Sequence, residues 1–354
     1  MFEIVRYLLS RERAALRRSI GGVYAMLLVL NVFAWGWALL IFRDQPLLLG
    51  TALLAYGFGL RHAVDADHIA AIDNVTRKLM QEGKRPATVG FYFAMGHSTV
   101  VILAAAAIAA TSSALAPRFV SMRSVGGIIS TSVSALFLLV IAFMNLMIFL
   151  SVWRTFRHVK RGGAYVEEDL DLLLNQRGFA SRLFRPLFRF IKHSWHMYPL
   201  GFLFGLGFET ATEVALLGIS GTQAAKGTSV WVIMVFPALF AAGMSLIDTT
   251  DGVLMLGAYD WAFVKPVRKL FYNMTITLVS VIVAVLIGGI EALGLIRDQL
   301  NLSGGFWDAV SQLNGNFNGL GFAIVGIFVL TWAASVIIYR YKRYDRLEVR
   351  SAGE

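Results

Sequence analysis

Long apolar runs alternate with short polar segments along the chain. Eight of the runs reach the roughly 20 residues that a helix needs to cross a bilayer core of about 30 Å. They cover residues 21–42, 47–74, 88–111, 125–152, 197–220, 229–249, 270–296 and 320–341. The pattern predicts an all-α polytopic membrane protein with eight transmembrane helices. The first run is longer than the apolar stretch of a signal peptide and lacks a clear cleavage site, so we expect it to be retained.

Basic residues are concentrated in every second segment between the runs. Nine Lys and Arg residues lie within residues 153–196, whereas only Lys226 lies between the fifth and sixth runs. The positive-inside rule then places both chain termini in the cytoplasm, next to an anionic inner leaflet. We expect one permease domain over residues 1–354, with 153–196 as a cytoplasmic loop between helices 4 and 5. This topology accounts for the net charge of +10, so nucleic-acid binding is not expected.

Composition narrows the chemistry further. Hydrophobic residues make up 57% of the chain and charged residues 15%, which is too few charges to cover a soluble protein of this size. Cysteine is absent, and this excludes disulfides, thiolate metal ligands and a cysteine nucleophile.

One charged stretch interrupts the second apolar run. It places Arg61, His62, Asp65, Asp67 and His68 within a single predicted transmembrane helix. Ionisable groups are unfavourable in a bilayer and usually mark an ion or proton path. Two imidazoles and two carboxylates also form a ligand set for a first-row transition metal. The stretch is therefore our first candidate metal site.

An ideal helix does not bring all four metal-binding side chains of this stretch together. At 100° per residue, His62, Asp65 and His68 share a broad face, and Asp67 points away from it. Either the helix is broken or bent within residues 57–67, or a carboxylate orients a histidine ring without touching the metal. Arg61 is expected to balance charge, paired either with Asp65 four residues on or with Glu209 of the fifth run.

Other ionisable residues inside the apolar runs are further candidates for the same metal path. His97, in the third run, lies at about the depth of the first histidine of the motif, so we expect it to be a ligand. Glu209 and Glu213 lie one helical turn apart in the fifth run, where two carboxylates repel unless a cation is near. Asp248 and Asp251, at the inner end of the sixth run, are candidates for an exit vestibule.

Two segments of the chain have counterparts in its second half. Residues 57–65 align with 205–213, and residues 93–98 align with 240–245. The second and third runs thus echo the fifth and sixth, but the second and fifth cross the membrane in opposite directions. We predict an inverted repeat relating helices 2–4 and 5–7, an arrangement typical of secondary transporters that bind their substrate near the midplane.

The motifs at residues 61–69, 96–101, 206–213 and 243–251 resemble the four signatures of the nickel/cobalt transporter family. This family consists of eight-helix permeases for high-affinity nickel or cobalt uptake across the bacterial cytoplasmic membrane. The resemblance implies that His62, Asp67 and His68 form the core of metal recognition, and that His97 belongs to the second signature. The third signature usually has Asp where this chain has Glu209, which bears on the preference between nickel and cobalt.

The motifs favour a secondary permease for Ni²⁺, with Co²⁺ as a second cargo, and no cofactor is expected. The chain lacks the GxxxxGK[ST] motif of ATP hydrolysis, so we expect the membrane potential to drive transport without an ATPase subunit. The alternatives are export of the same metals and an intramembrane metalloenzyme of the protease or lipid-oxidase type. The 153–196 loop holds three His residues where exporters of the family tend to be His-rich, which favours uptake. The HExxH motif of zinc proteases is missing, which disfavours an enzyme.

Overall fold

The computed structural model describes residues 14–111, 116–160, 191–207, 210–262 and 266–341. The regular structure of these residues is helical. Its α-helices are α1 Ala14–Phe42, α2 Pro46–His62, α3 Ala66–Gln81, α4 Val89–Thr111, α5 Ala116–Lys160, α6 Met197–Gly205, α7 Ala211–Ala225, α8 Val230–Ile233, α9 Val235–Ala262, α10 Pro266–Leu300, α11 Gly305–Asn314 and α12 Phe317–Tyr341.

Six spans within the described residues are long and apolar enough to cross a membrane, and the bent pair α2–α3 raises the number to seven. These seven correspond to all but the fifth of the runs predicted from sequence. The fifth run, 197–220, is divided between α6 and α7, which have only 9 and 15 residues. Part of the predicted 153–196 loop is helical, because α5 extends to Lys160, and residues 161–190 lie outside the described residues.

The predicted break in the second span is confirmed. Helix α2 ends at His62, α3 begins at Ala66, and the two helices are bent by 52°. Between them the backbone makes tight turns, with the amide of Asp65 donating to the carbonyl of His62 at 2.9 Å, and Asp65 itself is extended. The break therefore does not lie at Gly57 or Gly59, although both glycines fall within residues 57–67.

Glycines in this region instead allow helices to approach one another closely. A Cβ atom added to Gly59 would overlap the backbone of Phe240, so α2 and α9 cross with almost no space between them. Gly96 and Gly201 play the same part where α4 crosses α6, since a Cβ on either would overlap backbone atoms of the facing helix. These two crossings bring the broken α2–α3 pair, α4 and α9 around a common centre.

Helix α3 is buried on every side although its sequence is polar. Fourteen of its 16 residues are buried, and α4, α5, α9, α10 and α12 surround it. We predicted that the second span ends at residue 74 and counted the next two basic residues as part of a polar loop. The structure corrects this, because the helix continues to Gln81 and both Arg77 and Lys78 are buried in it.

Candidate metal site

Three histidines meet at the break between α2 and α3. His62 is the last residue of α2, His68 lies in the first turn of α3, and His97 projects from α4. All three are buried, and each offers a ring nitrogen within 4.8 Å of the others. Because the break separates His62 from His68, the two rings meet edge to face with centroids 4.7 Å apart. A regular helix would not allow this arrangement.

His62 is held by contacts at both of its ring nitrogens. Its Nδ1 lies 3.0 Å from Oδ2 of Asp65 and 3.3 Å from each of the hydroxyls of Thr210 and Thr212. Its Nε2 lies 3.0 Å from Nε2 of His97, in the middle of the site. The carboxylate behind Nδ1 fixes the orientation of the ring and leaves Nε2 directed at the site, as outer-sphere carboxylates of metal sites do.

Helix α7 brings a second carboxylate to the site. Oε1 of Glu213 lies 2.9 Å from Nε2 of His97. Its other oxygen, Oε2, accepts a hydrogen bond from the Thr210 hydroxyl at 3.0 Å, and the two residues form a capping box at the N-terminus of α7. A helix N-terminus stabilises a carboxylate, so the local structure of α7 supports a charged Glu213 at this position.

Asp248 of α9 supplies the third carboxylate. Its Oδ1 and Oδ2 lie 3.3 and 3.4 Å from Nδ1 of His68. Nε2 of His68 and Nδ1 of His97 are buried and have no hydrogen-bond partner in the described part of the chain. Buried polar atoms are normally paired, so an orphaned imidazole nitrogen beside two other histidines fits a place for a bound ion.

Two aromatic rings pack against the histidines of the site. The Phe93 ring packs edge-on against His68 with centroids 4.8 Å apart, and the Phe240 ring lies 5.5 Å from His62. The site therefore presents imidazole nitrogens in an apolar enclosure, with a carboxylate beside each ring. Imidazole ligands without thiolates suit divalent nickel, cobalt, copper and zinc, and the three carboxylates can offset the charge of such an ion.

The remaining predicted residues lie apart from this group. Asp67 is half-buried in the first turn of α3 and is not among the three clustered ligands, because it precedes His68 by one residue and points about 100° away. Asp251 lies one turn beyond Asp248 on α9, and its Oδ2 is buried without a hydrogen-bond partner in the described residues. Glu209 lies outside the described residues.

Arg61 does not make the predicted pair with Asp65. The prediction depended on a helical spacing of four residues. That spacing is lost because α2 ends at His62, and the carboxylate of Asp65 instead contacts the His62 ring. Arg61 is exposed, and its Nε instead donates to Oδ1 of Asn318 on α12 at 3.3 Å. The alternative pair with Glu209 involves a residue outside the described ranges.

Sequence reasoning did not assign a role to Thr210, Thr212, Phe93 or Phe240. Thr210 carried a usable signal, since Thr-x-x-Glu before an apolar run is the signature of a capping box. The two phenylalanines carried only the signal of the repeat, since they are the first residues of the aligned segments 93–98 and 240–245.

A family profile described as high-affinity nickel-transport protein matches residues 48–338. The chain belongs to this nickel-transport family. It is 59% identical to a high-affinity nickel transport protein of Cupriavidus necator over 99% of this chain and 100% of the relative.

Two further relatives also match this chain over most of their length. The chain is 53% identical to the hydrogenase nickel incorporation protein HupN of Bradyrhizobium diazoefficiens, over 94% of this chain and 87% of the relative. It is 38% identical to the cobalt transport protein NhlF of Rhodococcus rhodochrous, over 92% of this chain and 94% of the relative. No solved structure matches the chain significantly. The matched relatives are transporters, and the chain is not an enzyme.

Proposed function

We propose that this protein is a secondary permease that takes up Ni²⁺ across the bacterial cytoplasmic membrane, with Co²⁺ as a second cargo. The observation that carries the proposal is the group of three buried histidines, whose ring nitrogens lie within 4.8 Å of one another. Membership of the nickel-transport family, which includes a relative named for cobalt transport, supports the choice of metals.

The histidines are the proposed ligands, and the carboxylates beside them are the proposed supports. His62, His68 and His97 bind the ion, while Asp65, Asp248 and Glu213 each hold one ring in place. Support of this kind fixes which nitrogen is free and strengthens the ligand.

Four further residues keep their sequence-based roles as part of the proposal. Asp67 takes part in metal recognition beside His68, as the family resemblance implies, and Asp251 attracts the ion as it leaves the histidines. Glu209 is a candidate third-signature carboxylate. Arg61, whose carbonyl accepts a hydrogen bond from Asn318 at 2.8 Å, balances the negative charge near the break.

The proposed topology has eight transmembrane spans, one permease domain, both termini in the cytoplasm and an inverted repeat. The pattern of helix crossings supports the repeat. Helix α2, in the second span, crosses α9 in the sixth, and α6, in the fifth, crosses α4 in the third. This exchange of partners is what an inverted pair of repeats predicts, and the second and fifth spans each contain two described helices.

Transport in this proposal needs no ATPase subunit. The membrane potential supplies about 2.3 kcal/mol per charge per 100 mV, and twice that for a divalent ion. The basic segments that the proposed topology places in the cytoplasm contact the anionic inner leaflet.

The test is uptake of radiolabelled nickel by purified protein in liposomes that contain no other protein. With an inside-negative potential, the liposomes are expected to accumulate nickel, and excess cobalt is expected to slow the uptake. Nickel that binds without entering the lumen would contradict a permease. Accumulation only in liposomes with the opposite orientation and potential would indicate export.

A further inference from the structure

A second polar cluster lies in the interior near the C-terminal half of α3, away from the histidines. Asp73 accepts hydrogen bonds from the hydroxyl of Tyr259 on α9 and from Oγ of Ser280 on α10, the latter at 2.7 Å. Asp73 and Ser280 have no exposed surface, and Tyr259 has 3%. A carboxylate so deeply buried requires these hydrogen bonds, and they tie α3 to α9 and α10.

The same cluster continues one residue further along α3. Oδ1 of Asn74 accepts hydrogen bonds from Nη2 of Arg77 at 2.8 Å and from Nδ2 of Asn145 on α5 at 2.6 Å. Buried polar side chains therefore join four helices, α3, α5, α9 and α10. These side chains lie beyond the histidine site, towards the C-terminal end of α3. We call this group of six residues the lower cluster: Asp73, Asn74, Arg77, Asn145, Tyr259 and Ser280.

Arg77 is the unusual member of the lower cluster. It is fully buried, yet Nε and Nη1 have no hydrogen-bond partner in the described ranges. A buried guanidinium with unused donors is unfavourable, and charged residues inside membrane spans usually serve transport. The position of Arg77 indicates which part of transport it serves.

One face of α9 connects the histidine site to the lower cluster. Asp248, Asp251, Met255 and Tyr259 follow at intervals of three and four residues, so they share a face. The first of them bonds His68 and the last bonds Asp73, and this face therefore lies along α3. On α3 itself, Arg77 lies about 13.5 Å of helix rise beyond His68. In the proposed topology both helices run towards the cytoplasm, so a released ion would follow this face.

We propose that the lower cluster is the barrier to metal release on the cytoplasmic side and that Arg77 is its gate. An ion leaving His68 is attracted by Asp248 and then by Asp251, and next meets a buried guanidinium of the same sign. Release requires Arg77 to move, and its unused donors can then bond Oδ2 of Asp251, which has no partner among the described residues. The cytoplasmic location of this barrier rests on the proposed function and topology, whereas the barrier itself does not.

The absence of cysteine from the chain allows a test that uses no metal. Ser245 is fully buried on α9, one turn before Asp248 and on the same face, so Ser245→Cys places a small reporter beyond the barrier. Inside-out membrane vesicles carrying this variant are treated with a cationic methanethiosulfonate reagent, which reaches the protein only from the cytoplasmic face. The rate of thiol modification is then compared with that of double variants.

Combining Ser245→Cys with Arg77→Ala is expected to speed modification at least about tenfold, because a repelling charge and its bulk have been removed from a narrow path. Combining it with Arg77→Lys should leave the rate slow, since a cation remains. Lys84→Ala is the matched control, because Lys84 bonds Glu82 and the Lys192 carbonyl near the end of α3, outside the path, and its side chain is 41% exposed.

Equal modification rates with and without Arg77, in inside-out and in right-side-out vesicles alike, would overturn the gate. If the Arg77→Ala protein does not reach the membrane, Arg77→Gln replaces it with the same expectation. Since the assay needs no nickel, it gives its answer whether or not nickel is the cargo, and the liposome uptake experiment tests the cargo separately.

Discussion

At the scale of single residues, the histidine site depends on which ring nitrogen each carboxylate occupies. Asp65 and Asp248 each lie beside the Nδ1 atom of a histidine, and this leaves both Nε2 atoms directed at the site. Glu213 differs, because it lies beside Nε2 of His97 itself. Binding through that nitrogen requires Glu213 or the ring to shift, whereas Nε2 of His68 is already unpaired within the described residues.

The contact between Asp248 and His68 gives the first prediction. Asp248→Asn keeps the size of the side chain but loses the charge that orients and strengthens the histidine, so the KM for nickel uptake is expected to rise about 10- to 100-fold. Initial rates of nickel uptake over a range of concentrations measure this. Glu291→Gln is the control, since Glu291 is also a buried carboxylate but accepts from Ser134 at 2.8 Å on another pair of helices. A KM unchanged by Asp248→Asn would show that this carboxylate does not support the site.

The capping box of α7 carries the second prediction, at the scale of a helix. Thr210→Ala removes a helix cap worth about 1 kcal/mol and a contact with His62, so thermal stability should fall and nickel should bind more weakly. Melting of the purified protein with and without nickel measures both effects.

Two matched variants make the capping result specific. Thr210→Ser keeps the hydroxyl and should restore most of the stability. Thr222→Ala, at the opposite end of α7, removes only a bond to the Gly218 carbonyl and should change little. A loss with Thr222→Ala equal to that with Thr210→Ala would mean that the cap itself has no special role.

The close crossing of α2 and α9 gives the third prediction. Gly59→Ala places a methyl group against the Phe240 backbone, which forces the helices apart beside the site and is expected to lower stability by about 1–3 kcal/mol or more and to reduce uptake. Gly57→Ala is the matched control, because nothing lies within 4 Å of its added Cβ. Melting temperature and uptake rate should fall for residue 59 and stay near wild type for residue 57. Equal tolerance of both would contradict the crossing.

Much of this element-scale picture could be predicted from the sequence, but the roles of several residues could not. Apolar runs and the charged motif predicted the spans and the break near His62, since length and charge in an apolar segment are local properties. The position of the break and the use of Gly59 for close packing depend on α9, which is distant in sequence. Arg77 was assigned to a loop because the predicted span ended at residue 74, where the sequence turns polar, and a buried cation is costly in a membrane span. Only the packing around α3 reveals it.

At the scale of the whole molecule, the proposed mechanism predicts a dependence on the membrane potential. A divalent cargo moving inward gains about 2.3 kcal/mol per charge per 100 mV, which allows accumulation on the order of a thousandfold at equilibrium. Liposomes with a potassium gradient and valinomycin set the potential, and nickel accumulation should collapse towards equal concentrations at zero potential. Accumulation that persists at zero potential and is lost only when an imposed pH gradient is collapsed would show that protons drive transport instead.

The most direct test of the central claim compares two histidines of the same chain. His62 lies in the buried cluster, whereas His193 is exposed and contacts the ring of His196 outside it. Radiolabelled nickel uptake is measured in cells that express the wild type, His62→Ala or His193→Ala at equal levels. We predict that His62→Ala abolishes uptake above background and that His193→Ala retains it. Equal uptake by all three proteins would contradict the claim that the three-histidine cluster binds the transported metal.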